Sequence, residues 1–400
     1  MGHREFIAFS ATMGIAISFA IDAILPAFDD MKVSLDLAPD SNRISLSITA
    51  YFITMSLGQM IYGPLADRYG RKPTLLFGLA VCVAGAVVST FADTLTMLLV
   101  GRAIWGFGAA SIRVMSNTLA RDLYDGDVMA RVLSLIMAVF LLGPVVAPLI
   151  GEALLEVTTW RVVTALCGTI GIIVAIWSVR LVETLPASER EAPPPSQTRN
   201  AIRAVLSNRV TMGNTLATMF VFAILATFLA SSQLVIDEIY GRADQYAVLF
   251  SVLSVGSVLA ALANTRAIER LGSRRVVLLS SASFIATGGF LTAITVAADG
   301  RPNFWLWFAG TTVMIGFVAM LIPTATTVAL DPLGHIAGTA SGVIGTISAG
   351  FGAVLGAIVD AFISDNVTPM SLSALIFGIL AYASAKWAHV ESPVLAESVS

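Results

Sequence analysis

Apolar stretches of eighteen or more residues recur from one end of this sequence to the other, and no other feature narrows the fold so far. A segment of that length covers the roughly 30 Å hydrocarbon core of a bilayer at about 1.5 Å per residue. In lipid it must satisfy its own backbone, which selects helices. The composition agrees. The 400-residue chain is 56% hydrophobic and 12% charged, with a mean hydropathy of +0.85. Soluble domains carry about 25% charged residues, so this chain lacks the polar surface to cover a water-soluble globule. Its net charge of −3 says nothing of partners when most of the surface faces lipid. Cys82 and Cys167 lie inside apolar runs and read as small buried residues, giving neither a disulfide framework nor a metal site. The first apolar stretch is long enough to span, and Asp22 interrupts the core that a cleaved signal peptide would need.

Twelve spans are predicted, over roughly 5–27, 44–66, 73–92, 95–119, 128–155, 161–182, 210–236, 245–267, 275–297, 303–329, 336–363 and 367–389. The longest polar segment, "ETLPASEREAPPPSQTRN" at 183–200, carries three consecutive prolines and mixed charges, and reads as a linker. If both termini are cytoplasmic, the inner loops and tails hold sixteen of the 23 Lys and Arg and the outer loops five. That split obeys the positive-inside rule. The halves also repeat: "GPLADRYGRKP" (63–73) aligns with "TRAIERLGSRR" (265–275), each after the second span of its half. The expected fold is therefore an all-α membrane protein of twelve transmembrane helices in two pseudo-symmetric six-helix halves. Residues 1–182 form the first bundle, 183–209 the cytoplasmic linker and 210–400 the second bundle. Secondary transporters with such repeats place substrate between them.

The charged knot in "GPLADRYGRKP" has a physical reading. Gly63 permits close helix packing, Asp67 suits the positive end of another helix, Gly70 breaks the chain, and Arg71 can pair with an acid. Arg68 and Lys72 read as solvated or lipid-facing charges. The stretch resembles the loop signature of the major facilitator superfamily. "LLVGRAIWGFGAA" (98–110) is similar to that family's fourth-helix arginine motif. "LLGPVVAPLIG" (141–151) resembles its fifth-helix antiporter motif, with Gly143, Pro144, Pro148 and Gly151 in place and Glu152 where a second glycine is usual. "AIDAILPAF" (20–28) resembles the first-helix motif of drug:proton antiporters. "WRVV" (160–163) and "LDPLGHIAGTASGVIG" (330–345) are most similar to the Bcr/CflA-type drug-resistance branch. The resemblance implies a latch on an outward-open state, in which Asp67 meets the start of the eleventh helix near His335 and Ile336 and Arg71 pairs with Asp122. It also implies a bacterial inner-membrane location. In the second half Ser273 replaces Arg71, so the matching latch is weaker.

Charges inside spans are costly and mark pathways or proton relays. Asp22 and Arg102 lie at matching depths on the first and fourth spans and can pair, and release of Asp22 from Arg102 would let it take a proton. The alternative is a static buried ion pair. Arg113 lies eleven residues beyond Arg102, about 20° away around the helix, so it lines the same cavity. There it would be either a substrate contact or an inner-gate residue paired with an acid such as Asp122. Gln59, Phe140 and Gln233 are softer substrate candidates, and glycines 338, 342, 345, 352 and 356 read as close packing in the eleventh helix.

No P-loop is present and no cofactor, metal cluster or nucleophile–histidine pair is evident, which disfavours a nucleotide-driven pump and an enzyme. A receptor of transporter ancestry stays open. The reading that follows is proton-coupled export of small molecules by alternating access. The alternative is export of one anionic or polar metabolite recognised through Arg102 and Arg113. The partners expected are a small-molecule substrate, protons and membrane lipids, with no nucleic acid, for a chain that acts as a monomer.

Overall fold

The computed structural model describes residues 1–38, 41–124, 126–190 and 195–389. Among these every regular element is a helix. Eleven helical segments are long and apolar enough to cross a membrane, and the thirty-residue helix Gly126–Leu155, whose later part Leu142–Leu155 is apolar, completes twelve. The helices that matter below are α1 (His3–Asp22), α2 (Phe28–Ser34), α3 (Leu46–Tyr69), α4 (Arg71–Thr90), α5 (Leu95–Leu123), α6 (Gly126–Leu155), α7 (Trp160–Ser178), α8 (Pro195–Ser207), α9 (Arg209–Leu234) and α10 (Tyr246–Leu271). Then come α11 (Ser273–Ala297), α12 (Phe304–Leu330), α13 (Ala337–Gly345), α14 (Gly352–Asp360) and α15 (Thr368–His389). Helix α1 begins and α15 ends at one end of the bundle, called here the terminal face; the other end is the far face.

Two elements depart from the sequence expectation for local reasons. Helix α1 stops at Asp22 because Pro26, four residues on, has no N–H for the Asp22 carbonyl and its ring crowds that oxygen. The chain makes a tight turn over Leu25–Ala27 and resumes as α2. The first membrane segment therefore runs His3–Ser34 rather than ending at residue 27. The supposed linker contains the thirteen-residue α8. Its proline run hides a helix start, since Pro195 occupies the first helical position, where a missing N–H costs nothing. Val205 of α8 is fully buried against Leu333, Ala340, Val343 and Ile344, so the connection is docked on the eleventh span.

Helices α4 and α5 pack backbone to backbone through glycines. A Cβ built on Gly85 would lie 2.2 Å from the Trp105 amide nitrogen. In lipid, where no hydrophobic force draws helices together, such small-residue contacts supply much of the association. The eleventh span is α13 and α14 joined by a wider π turn over Thr346–Phe351. Thr346 Oγ1 donates to the Ser56 carbonyl at 2.7 Å there, tying this span to α3.

Candidate functional site

Asp22 ends α1 deep in the bundle, 4% exposed, and its hydrogen bond comes from Ser18 Oγ at 2.7 Å, one turn earlier. Ser18 in turn packs on the antiporter-motif helix. A Cβ on Gly143 would meet Ser18 Oγ at 2.3 Å, and one on Gly151 would meet the Ala23 carbonyl at 2.1 Å. Gly143 and Gly151 thus bracket the turn that carries Asp22. Any larger residue at either position would push α6 off the Asp22 turn. Pro144 and Pro148 lie between them within α6.

Arg102 is fully buried, but the structure does not join it to Asp22. Its Nη1 donates to the Ala20 carbonyl at 2.6 Å and its Nε to the Ser47 carbonyl at 3.3 Å. Its guanidinium lies over the Tyr51 and Trp105 rings, 4.7 and 5.4 Å from their centroids. Sequence depth placed Asp22 and Arg102 at one level correctly. It could not show that backbone carbonyls of α1 and α3 would take the arginine's donors. Arg113 differs: it is surrounded by protein yet keeps an exposed side chain, and it makes no hydrogen bond or ion pair among the described residues. Asp122, the acid offered for it, is engaged elsewhere.

That engagement is at the terminal face. Arg71 Nη1 donates to Asp67 at 2.5 Å and Arg71 Nε to Asp122 at 3.1 Å, and Thr184 Oγ1 donates to the same Asp122 oxygen at 2.7 Å. Gly70 sits at φ +100°, in the region that favours glycine. The turn it makes lets Glu183 accept from the Arg71 and Lys72 amides at 2.8 and 3.1 Å, capping the start of α4 with a negative charge. Asp67 remains half exposed and is bound by Arg71, with no bond to the eleventh span among the described residues; the His335 side chain lies outside them. Gly63 has open space around it.

The far face is sealed by bonds between the halves. Lys32 of α2 pairs with Asp29 at 3.1 Å and with Glu238 across the interface. Gln233 Nε2 donates to Asp29 at 2.6 Å and to Asp237 at 3.0 Å, so Gln233 serves this seal. Asp360, at the end of α14 and 3% exposed, accepts from Asn42 Nδ2 at 2.7 Å and from Ser231 Oγ, with Ser45 Oγ 2.5 Å away. Ser251 Oγ donates to the Val145 carbonyl at 2.6 Å, joining α10 to α6. Gln59 is half buried where α3 meets the eleventh span, its amide oxygen 2.7 Å from a Cβ built on Gly345. The Phe140 side chain lies outside the described residues. Sequence reasoning missed Asp360, although a lone acid in the last turn of an apolar run is the signal that drew attention to Asp22.

Comparison with known proteins fits this architecture. The chain is 27% identical over 388 residues to a bicyclomycin resistance protein homolog of Haemophilus influenzae, covering 95% of this chain and 96% of that one. It is 27% identical to the multidrug resistance protein MdtL of Escherichia fergusonii, covering 82% and 83%. The crystal structure of a D-xylose–proton symporter superposes with a TM-score of 0.75 over 97% of this chain and 98% of that one, at 13% identity, a likeness of fold alone. Residues 6–241 match the Major Facilitator Superfamily, so this multi-pass membrane protein, with its charged turn after the second span and its buried first-helix acid, belongs to that superfamily.

Proposed function

We propose that the chain exports small lipophilic drugs in exchange for protons, by alternating access between two six-helix halves divided at residues 183–209. The observation that carries this is Asp22: a buried carboxyl with one hydroxyl donor and no cation among the described residues, on a turn clamped by the two motif glycines of α6. A buried charge without a partner is costly, so such a group changes state by gaining or losing a proton. Arg102 is the second half of the device. Here it holds the Ala20 and Ser47 carbonyls. A charged Asp22 two residues from Ala20 would compete for that guanidinium and loosen the end of α1. Proton loss is thereby coupled to helix movement. The drug-resistance names of the relatives support the substrate class.

The excess of Lys and Arg on the terminal-face loops supports a cytoplasmic terminal face and a bacterial inner membrane. The seal then closes the outside, and each proton returning inward across 100 mV supplies about 2.3 kcal/mol. Arg113, which has no partner among the described residues, and half-buried Gln59 are substrate contacts in this reading, and a monomer in lipid suffices. The deciding experiment traps a pH-sensitive dye in liposomes holding the purified protein, imposes a proton gradient and adds cationic, neutral and anionic compounds. Proton movement triggered by lipophilic cations is expected. A response to anions alone would replace this reading with a metabolite exporter that uses Arg113, and no response would end the transport reading.

The terminal-face cluster is proposed as the latch on the outward-open state, with Arg71 already held by Asp122 and so able to release Asp67 to the eleventh span. Asp122→Asn is expected to cost about 1 kcal/mol or less in stability, as for other partly exposed pairs, while slowing transport several-fold. A thermal-unfolding curve run beside the liposome assay checks both. Unchanged transport would remove the latch from the cycle.

A further inference from the structure

The hydrogen bonds around Asp360 do not close unless one more proton is present. Ser45 Oγ lies 2.5 Å from the Asn42 carbonyl and 2.5 Å from Asp360 Oδ2. Both are acceptors, and a serine hydroxyl has a single proton. The other donors are already used: Asn42 Nδ2 and Ser231 Oγ both donate to Asp360 Oδ1. No other described donor reaches Oδ2. If Oδ2 carries a proton, it donates to Ser45 Oγ, Ser45 donates to the Asn42 carbonyl, and every contact is satisfied. If it does not, a buried carboxylate and a partly buried carbonyl face one hydrogen and one contact becomes a clash of lone pairs, a costly state where water is scarce.

We infer that Asp360 binds a proton as the far face closes, so that sealing this face takes up one proton from the side to which it opens. The inference rests on the alternating-access reading above and adds to it a second proton site, on the eleventh span. Asn42 and Ser45 belong to the first half, and Ser231 and Asp360 to the second, so the bonds exist only when the halves meet here. Among the described residues no ion pair reaches Asp360. Arg43, on the same turn as Asn42, is exposed. Asp237 and Glu238, beyond Ser231 on the same span, are held by Gln233 and Lys32, which also bind Asp29. The facing end of α3 carries no charge, and the charged residues of α15 lie in its last turn, at the terminal face. Asp365, in the turn after α14, holds the Arg301 Nε through its backbone carbonyl at 2.7 Å, and its carboxylate enters no ion pair among the described residues.

The sign follows from proton counting. The closed state holds the proton and the open state does not, so acid favours closure and the closed-to-open ratio falls by up to about tenfold per pH unit as pH rises. External acid would then do two things in an exporter: load Asp22 and shut the face through which drug has left.

The test places spin labels on Val33→Cys and Ala243→Cys, both exposed at the far face on opposite halves, with buried Cys82 and Cys167 replaced by Ser. Distances are measured in lipid nanodiscs from about pH 5 to about pH 9, which spans the titration range of a perturbed carboxyl. The otherwise native chain should move from short to long distances as pH rises. Asp360→Asn places an N–H where the proton would be, and should stay short throughout. Ser45→Ala removes the shared hydroxyl and should flatten the response with more of the long distance, a second route should the Asn variant fail to fold. A flat response in the native background, or an Asp360→Asn curve that tracks it, would overturn the assignment and move the titrating group to the Asp29, Asp237 and Glu238 set. No substrate enters this measurement, so a failure of the export reading appears separately, as absent proton flux in liposomes.

Discussion

Asp22→Asn is expected to collapse the drug gradient that the protein sustains while leaving drug binding within a few-fold of the native value. For an uncharged drug, one proton returning across 100 mV supplies about 2.3 kcal/mol, which supports a gradient of about fiftyfold. Without a titrating carboxyl that drive has no point of entry, and the gradient should fall to unity. The fold should survive, because the asparagine carbonyl can still accept from Ser18 Oγ, which lies 2.7 Å from the carboxylate. Binding should also survive, because Asp22 is 4% exposed and presents almost no surface to a ligand. Active efflux by this variant, measured against a proton gradient in liposomes and compared with equilibrium binding, would remove Asp22 from the coupling step. Lost binding together with lost efflux would instead make it a substrate contact.

The largest structural effect is expected from Gly85→Val. The new Cβ would fall 2.2 Å from the Trp105 amide nitrogen and 2.6 Å from the Trp105 Cα, both backbone atoms that cannot rotate away. Relief requires α4 and α5 to separate along their length. Overpacking in a close-packed interior costs about 1–3 kcal/mol where side chains can yield, and here the obstacle is main chain, so about 3 kcal/mol or more is expected. Trp105 also supports Arg102, whose guanidinium lies 5.4 Å from its ring, so the disturbance would reach the centre of the bundle. The measurement is the yield of monodisperse protein after detergent extraction, which should drop several-fold. A native yield would show that this helix pair has slack.

What could be read in advance follows from the range of each interaction. The crossing helices were legible because a span is written in one continuous stretch of sequence. The Asp22, Arg102 and Arg71 positions were legible because a charge in lipid, or a Gly-Pro-charge knot beside it, is a local anomaly. The far-face seal was not. Its bonds between the halves join residues 106 to 318 positions apart, as in Ser251 with Val145, Gln233 with Asp29, Lys32 with Glu238 and Asn42 with Asp360, and no local pattern encodes which polar side chains will meet. Gln233 shows the difficulty: a glutamine in an apolar run reads equally as a ligand contact or an interhelical tie. Arg102 fails differently. Its depth was correct, but its partners are backbone carbonyls, which every residue supplies and which sequence therefore cannot single out. The helix in the connecting segment was obscured by the prolines that mark its start.

The connection between the halves is fastened at both ends. Glu183 is hydrogen-bonded to the start of α4, and Arg190 is held near it by the Leu185 carbonyl at 3.4 Å and the Glu183 carboxylate at 3.8 Å. On the other side α8 is docked on the eleventh span through Val205. Between Arg190 and Pro195 the chain has five steps, about 17 Å at full extension. The halves are thus leashed on the terminal side by a cord of fixed length. The stroke with which they can part there is bounded by that cord, and any wider opening must first peel α8 from the eleventh span or lift Glu183 from the end of α4.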